Sequence, residues 1–140
     1  MKVRKFFALV IVVVVVLTGV GNVCPAFGEE SSASPFYLYT RFVEADLSID
    51  NSGNASCIGY VKVKETTSTI TMTVTLYRQA GTNWGKVTSW SDSVVGASSL
   101  EIDEVYRVGS GNYKVEVTGT VTSAAGGSET FSETSGVVTY

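Results

Sequence analysis

Strict alternation of apolar and polar side chains in the segment Ile70–Arg78 is the feature that most limits how this chain can fold. The apolar positions are Ile70, Met72, Val74 and Leu76, and the hydroxyl-bearing positions between them are Thr71, Thr73, Thr75 and Tyr77. Successive side chains of a β-strand point to opposite faces of its sheet, whereas a helix would scatter these residues around its circumference. The segment is therefore predicted to be a strand with one buried face and one wet face.

Two further segments show the same alternation. In Tyr113–Thr122 the inward positions are predicted to be Tyr113, Val115, Val117 and Val121. In the first strand, predicted at Val43–Ile49, the inward set is Val43, Ala45, Leu47 and Ile49, and the outward set is Glu44, Asp46, Ser48 and Asp50. Both segments fit a sheet that is buried on one face only.

Four other segments are predicted to be strands on weaker patterns. The segment Ala55–Glu65 has apolar side chains on both faces, which is typical of a central strand. In Leu100–Val108, Glu104 interrupts the apolar face. The remaining two strands are predicted at Lys86–Val95 and Glu129–Tyr140.

Turn-forming residues separate these segments, and they set the expected fold class. They lie at residues 51–54, 81–83, 96–99, 109–112 and 126–128, where glycine and asparagine recur. About seven short strands with no amphipathic helical stretch predict an all-β chain, an antiparallel two-sheet sandwich that occupies residues 36–140 as one domain.

The motif Gly109-x-Gly111-x-Tyr113-x-Val115 resembles the corner before strand F of immunoglobulin-like domains. In that corner a tyrosine hydroxyl bonds to the backbone a few residues upstream. Gly109 replaces the usual aspartate, Val115 replaces the cysteine of antibody domains, and no tryptophan follows Cys57 closely. The resemblance implies immunoglobulin-like architecture without an antibody-type core; alternatively, Tyr113 simply begins a buried strand.

The first 28 residues have the order of a secretory signal peptide. An apolar run from Phe6 to Leu17 contains five consecutive valines, and Ala26 and Gly28 are the small residues that a signal peptidase requires. A basic head precedes the run at Lys2, Arg4 and Lys5. Cleavage after Gly28 and an extracellular location are therefore expected, followed by a flexible lead-in over residues 29–35. An uncleaved membrane anchor over residues 6–23 is the alternative.

Charge and cysteine content limit the partners. The leader accounts for 28 of the 140 residues, so the mature chain has 112. The leader also holds three of the ten Lys and Arg residues and none of the thirteen Asp and Glu residues. The mature chain therefore has a net charge of about −6. That charge argues against nucleic acid or an anionic membrane as a partner. Cys24 leaves with the leader, so the mature chain keeps only Cys57, and an exporting Gram-positive bacterium is the favoured source. Cys57 is expected to be a small buried residue; a cross-link to a second chain is the alternative.

Residues that commonly carry catalysis are scarce. The chain has no histidine, which argues against ordinary serine or cysteine triads and most zinc or copper sites, and we expect neither a cofactor nor a metal. The densest acidic cluster, Glu101, Asp103 and Glu104, is better explained by solvated charges at a sheet edge than by a carboxylate-only hydrolase. A calcium site near Asp46, Asp50, Asn51 and Asn54 is less favoured than a plain turn.

Aromatic residues are the best candidates for a binding surface. Trp84, which follows the turn at 81–83 and is expected near a loop, and Tyr77, which shares the threonine face, could stack on sugar rings or contact a protein. The full candidate surface is Trp84, Trp90, Tyr77 and Tyr39, with Tyr37 and Tyr60 as further possibilities. The alternative is that both tryptophans close the ends of the sandwich.

The tryptophan pair and the later motif Tyr106-Arg107-Val108 with Asn112-Tyr113-Lys114-Val115 resemble small secreted β-sandwich proteins of Gram-positive bacteria, an uncharacterised family. The resemblance implies the compartment and the β architecture, and no activity. The expected function is a non-enzymatic extracellular or cell-surface interaction module, monomeric or weakly associating, that binds a protein or a glycan. A membrane-active or antibacterial protein, in which residues 118–136 refold as a hairpin, is the alternative.

Overall fold

The computed structural model describes residues 37–65 and 69–140, and the predicted leader and lead-in lie outside them. Each of the seven predicted segments forms a strand, and the last is divided in two. The strands are β1 (Thr40–Ile49), β2 (Asn54–Val63), β3 (Thr69–Ala80), β4 (Asn83–Val95), β5 (Ser99–Arg107), β6 (Asn112–Thr122), β7 (Ser128–Thr134) and β8 (Val138–Thr139). Within these residues, no helix has the length and apolarity needed to cross a membrane.

The strands form two antiparallel sheets, as predicted. The first sheet has the order β1-β2-β5, and the second has the order β4-β3-β6-β7, with β8 also paired to β6. Hairpins join β1 to β2, β3 to β4 and β6 to β7, whereas the β2–β3, β4–β5 and β5–β6 connections cross between sheets. The predicted central position of β2 is confirmed, since it lies between β1 and β5.

The core lies between the sheets and is built from the apolar positions that the alternation predicts. On β3 the side chains of Ile70, Met72, Val74 and Leu76 are at most 1% exposed. On β6 the predicted inward set is buried in the same way, with Tyr113 at 2% and the three valines at 0%. Leu47 is buried, but Val43, Ala45 and Ile49 are half-buried, because β1 is an edge strand of the smaller sheet.

Two residues lie on their predicted faces but differ from the expectation in exposure. Thr75 lies on the outer face of β3 but is only 9% exposed. It occupies the central strand, where Ser89 on one side and Glu116 on the other flank it in register. Tyr106, predicted to share the inward face of β5, is 40% exposed, because it lies toward the end of an edge strand.

Gly59 on β2 sets how closely the two sheets approach. A Cβ atom at this position would lie 2.4 Å from Val74 Cγ2 and 2.9 Å from Val117 Cγ2, both on the opposite sheet. The valine methyl groups therefore occupy the space that a side chain on Gly59 would need. A residue without a Cβ is required here for close packing rather than for its backbone conformation.

Two interactions outside the strand ladders tie the ends of the sandwich. The Tyr113 hydroxyl donates a 2.8 Å hydrogen bond to the Gly109 carbonyl, which is the backward bond expected from the glycine–tyrosine motif. At the start of β1, the Glu129 carboxylate accepts hydrogen bonds from the backbone N–H groups of Leu38 (2.7 Å), Tyr39 (2.9 Å) and Thr40. Partial burial raises the pKa of Glu129, but the hydrogen bonds from these three residues outweigh it and hold the pKa below its ordinary value.

Candidate functional site on the five-stranded sheet

Hydroxyl groups cover most of the outer face of the β4-β3-β6-β7 sheet. In register, each row across the sheet brings together serines and threonines from neighbouring strands. This hydroxyl face consists of Thr71, Thr73, Thr75, Ser89, Ser91, Ser93, Thr118, Thr120, Thr130, Ser132 and Thr134. Some hydroxyls bond to each other, as Thr73 Oγ1 and Ser91 Oγ do at 2.8 Å, while others remain exposed to solvent.

Aromatic rings and lysines lie at the end of the hydroxyl face nearest the β3–β4 turn. Tyr77 pairs in register with Lys86 on one side and with Lys114 on the other. Lys114 Nζ lies 4.8 Å from the centre of the Trp84 ring and 5.8 Å from the centre of the Tyr77 ring. Cation–π attraction on this scale, about 0.5–1 kcal/mol per exposed contact, holds Lys114 to the two rings, and Lys86 lies beside Tyr77 in register. We call Tyr77, Trp84, Lys86 and Lys114 the aromatic–lysine cluster.

Two side-chain amides border the aromatic–lysine cluster. Gln79 pairs in register with Trp84, and its Oε1 accepts a 2.8 Å hydrogen bond from Asn112 Nδ2. Asn112 Oδ1 in turn accepts a bond from the Thr139 hydroxyl at 2.8 Å. These bonds fix the amide orientations and place polar groups beside the aromatic rings.

The environment of Tyr77 keeps its hydroxyl protonated. Desolvation raises the pKa of Tyr77, and the neighbouring Glu116 carboxylate raises it further through its charge and a side-chain hydrogen bond. A protonated hydroxyl can donate one hydrogen bond and accept others. The edge of the cluster is thus equipped for polar contacts as well as ring stacking.

A β-bulge determines which face each tryptophan occupies. The register shifts between Leu76, which pairs with Thr88, and Tyr77, which pairs with Lys86, so Val87 is the extra residue on β4. Trp84 and Trp90 are six residues apart and would share a face in a regular strand. One inserted residue reverses the alternation, which puts the two indoles on opposite faces.

The candidate residues therefore divide between the surface and the core. Tyr77 and Trp84 are brought together, and Trp84 lies near the β3–β4 turn as expected, as the second residue of β4. Trp90 packs against the core and against Tyr106, with ring centres 6.4 Å apart, on the face of β4 opposite to Trp84. Tyr39 also packs on the core, beside Gly127 and away from the cluster.

Lys86, Lys114, Gln79 and Asn112 belong to the site but were not predicted. The two-residue turn Gly81–Thr82 was enough to place Gln79 and Lys86 beside the aromatic residues. A turn of that length pairs Gln79 with Trp84 and Tyr77 with Lys86 directly. Lys114 and Asn112 could not be found in this way, because they lie on β6, whose pairing with β3 no local pattern specifies.

The residues of the predicted acidic cluster lie on opposite faces of β5. Glu101 and Asp103 pair in register with Tyr60 and Ile58 on the outer face of the smaller sheet, whereas Glu104 pairs with Cys57 and points the other way. Among residues 37–65 and 69–140, no three acidic, histidine or cysteine side chains are grouped closely enough to hold a metal ion.

The acidic β1–β2 turn uses its carboxylate for the turn itself. Asp50 accepts hydrogen bonds from the backbone N–H groups of Ser52 (2.8 Å) and Asn54 (2.9 Å) and from the Asn54 side chain (2.8 Å). The backbone bond from Asn54, its side-chain bond and the Ser52 bond lower the pKa of Asp50. Of the residues considered for a calcium site, Asp50 thus already uses its carboxylate in hydrogen bonds within its own turn.

Cys57 is a free cysteine with no exposed surface, which confirms the expectation of a small buried residue. Burial, followed by the charge of Asp103, raises the pKa of its thiol to about 11. Because the thiolate is the reactive species, this thiol is inert in the folded protein. The burial of Cys57 therefore argues against a cross-link to a second chain without local opening of the fold.

The segment considered for membrane insertion, residues 118–136, includes the end of β6, the turn at 123–127 and all of β7. Val121 and Phe131 from these strands are 0% and 3% exposed. Refolding of this hairpin would therefore take two core side chains away from the sandwich.

No protein-family model matches the chain, and no curated protein shows significant similarity to it.

Proposed function

We propose that the chain is a secreted, non-enzymatic interaction module that binds an extracellular glycan on the outer face of its five-stranded sheet. The observation that carries this proposal is the aromatic–lysine cluster at the end of the hydroxyl face. The cluster places two half-buried aromatic rings beside side-chain amides and the hydroxyl face.

The chemistry of this face suits a sugar. Aromatic rings stack on the apolar faces of pyranose rings, and Trp84 and Tyr77 offer two such rings beside each other. The Gln79 and Asn112 amides and the neighbouring hydroxyls supply donors and acceptors at the rim. A mostly polar, open surface of this kind fits an extended polymer better than a small apolar ligand, which requires an enclosed pocket.

The location and the family remain part of the proposal. The basic head, the apolar run and the small residues before position 29 support export. The bond from Tyr113 to Gly109 and the strand order β1-β2-β5 with β4-β3-β6-β7 support an immunoglobulin-like architecture. The net negative charge of the mature chain favours a monomer or a weak oligomer over tight self-association. The single cysteine of the mature chain favours a Gram-positive source and membership in the family of small secreted β-sandwich proteins.

The two tryptophans allow a direct test, because they occupy different faces. In a Trp90→Phe variant, Trp84 is the only remaining indole and reports on the proposed site. In the matched Trp84→Phe variant, only the core-packed Trp90 emits. We expect cell-wall and other extracellular polysaccharides to shift the fluorescence of the Trp90→Phe variant and leave the Trp84→Phe variant unchanged.

A second measurement separates this proposal from binding to a protein. Immobilised polysaccharide should retain the full chain and the Trp90→Phe variant but lose a Trp84→Ala variant. If no polysaccharide changes the Trp84 signal while a protein partner from the same surroundings does, the glycan proposal is overturned and the surface is a protein-binding one.

A further inference from the structure

The outer face of the smaller β1-β2-β5 sheet has a different chemistry from the hydroxyl face. Side chains from the three strands meet there in register rows. Glu44, Tyr60 and Glu101 form one row, and Asp46, Ile58 and Asp103 form the next. In each row two carboxylates flank a side chain that is largely apolar.

Apolar side chains cross this face as a diagonal stripe. Phe42 on β1 is 48% exposed and contacts the Tyr60 ring, with ring centres 6.2 Å apart. The stripe continues through Ile58 to Val105 on β5, which is 62% exposed. Three steps from row to row, each two residues along a strand, separate Phe42 from Val105, a length of roughly 20 Å. We call Phe42, Tyr60, Ile58 and Val105 the apolar stripe.

The carboxylates on either side of the apolar stripe give the face its charge. Glu44 and Asp46 on β1, and Glu101 and Asp103 on β5, are all exposed. Across the sheet their partners in register are Tyr60 and Ile58 rather than cations. Lys62 and Arg107 pair in rows beyond the two acidic ones, so the centre of the face is negative.

These side chains point away from the sheet, which distinguishes them from edge-protecting charges. Residues that discourage edge pairing act through strand edges, where unpaired backbone groups could recruit another strand. They do not explain why Tyr60 and Ile58, between the carboxylates, are only half-buried, or why Phe42 and Val105, at the ends of the stripe, are exposed. Exposed apolar surface bordered by polar groups is typical of an interaction site.

We propose that this face docks a basic polypeptide segment, one that places an apolar side chain on the stripe and lysines or arginines on both sides of it. Charge complementarity selects the partner: two carboxylates lie on each flank, so a cationic residue can be matched on either side. A stripe of roughly 20 Å accommodates about six residues of extended chain. A second copy of the same face is disfavoured, because a two-fold contact would bring eight carboxylates together.

The experiment uses the full chain and fluorescently labelled synthetic peptides of twelve residues. The probe peptide alternates leucine and lysine, a second alternates serine and lysine, and a third alternates leucine and glutamate. Binding is measured by fluorescence anisotropy at low and at physiological salt. We expect the leucine–lysine peptide to bind most tightly, the serine–lysine peptide at least tenfold more weakly, and the leucine–glutamate peptide not at all.

Two variants with the same loss of charge separate a specific face from general attraction. The face variant carries Glu44→Gln, Asp46→Asn, Glu101→Gln and Asp103→Asn, and the control variant carries Glu65→Gln, Asp92→Asn, Glu104→Gln and Glu133→Gln. Far-UV circular dichroism establishes that both fold. The face variant should bind the leucine–lysine peptide at least tenfold more weakly than the unchanged chain, and the control variant less than threefold more weakly.

An apolar variant tests the stripe itself. Ile58→Thr with Val105→Thr keeps every charge and should weaken the leucine–lysine peptide while leaving the serine–lysine peptide unchanged. Equal weakening in the face and control variants would show that only the overall negative charge attracts the peptide, and this overturns the proposal. The proposal is also overturned if the leucine–lysine and serine–lysine peptides bind equally tightly, or if neither of them binds.

Discussion

Introducing a methyl group at Gly59 tests how closely the two sheets pack. In Gly59→Ala the new Cβ would lie 2.4 Å from Val74 Cγ2 and 2.9 Å from Val117 Cγ2, far inside van der Waals contact. Valine is stiff at χ1, so rotation cannot relieve the overlap and the sheets must separate locally. Overpacking of this kind costs about 1–3 kcal/mol, reduced by about 0.4–1 kcal/mol because alanine restricts the unfolded chain. The net expected loss is roughly 1–2 kcal/mol, a large part of the total stability of a small domain.

A double-mutant cycle isolates the clash from other effects of the substitution. Val74→Ala alone should cost about 2–3 kcal/mol by leaving a cavity in the core. In the double variant the alanine methyl group at position 59 fills part of that cavity. The loss of stability in the double variant should therefore be at least about 1 kcal/mol smaller than the sum of the two single losses.

Urea unfolding, followed by circular dichroism near 218 nm and by tryptophan fluorescence, measures each free energy of unfolding. Gly85→Ala is the matched control, because its Cβ would approach only the Arg78 carbonyl oxygen, at 3.8 Å, and we expect a change within about 0.5 kcal/mol. If the Gly59→Ala and Val74→Ala losses are additive, or if Gly59→Ala costs nothing, the close-packing argument is wrong.

Three other predictions follow from buried or bonded groups. The folded-state pKa of Glu129 is lowered, so its contribution to stability is present above the ordinary value of 4.5 and is lost as pH falls through the folded pKa. Glu129→Gln should therefore lower the urea midpoint more at pH 7 than at pH 3, and an equal loss at both would contradict this. Cys57, with a pKa of about 11, should react with a thiol reagent only as fast as the protein unfolds; prompt modification in native buffer would show that it is accessible. Val74→Asp should unfold the domain, whereas Thr73→Asp should cost less than roughly 1 kcal/mol in urea melts, and similar losses would refute the face assignment.

Most of the fold could be predicted because its strands are half-buried and antiparallel. The alternation in Ile70–Tyr77 and in Tyr113–Thr122 correctly identified the buried positions, apart from Thr75, which flanking side chains cover. Alternation was weaker in the edge strands β4 and β5. The strand β4 begins at Asn83 rather than at Lys86, and Glu104 interrupts the inward face of β5, whose bounds were predicted to within one residue. An edge strand has a neighbour on one side only, so fewer of its positions require an apolar residue.

The order of the strands could not be predicted, since it depends on distant pairing. β2 pairs with β5, and β3 pairs with β6, across more than thirty residues of sequence. Hydrophobic patterning shows that each strand has an inner face but not which strand lies beside it. Consequently the sequence could not place Lys114 beside Tyr77, or Glu101 across from Glu44.

By itself, the sequence determined which side chains of most strands point inward, because apolar residues at every second position must leave water together. Only the tertiary structure decided the faces of the two tryptophans. The extra residue Val87 reverses the alternation between them, so that Trp84 joins Tyr77 and Lys114 at the surface while Trp90 packs on the core. A bulge is favourable only when the side chains around it form better contacts because of it. Here those side chains lie on strands that come together only when the chain folds.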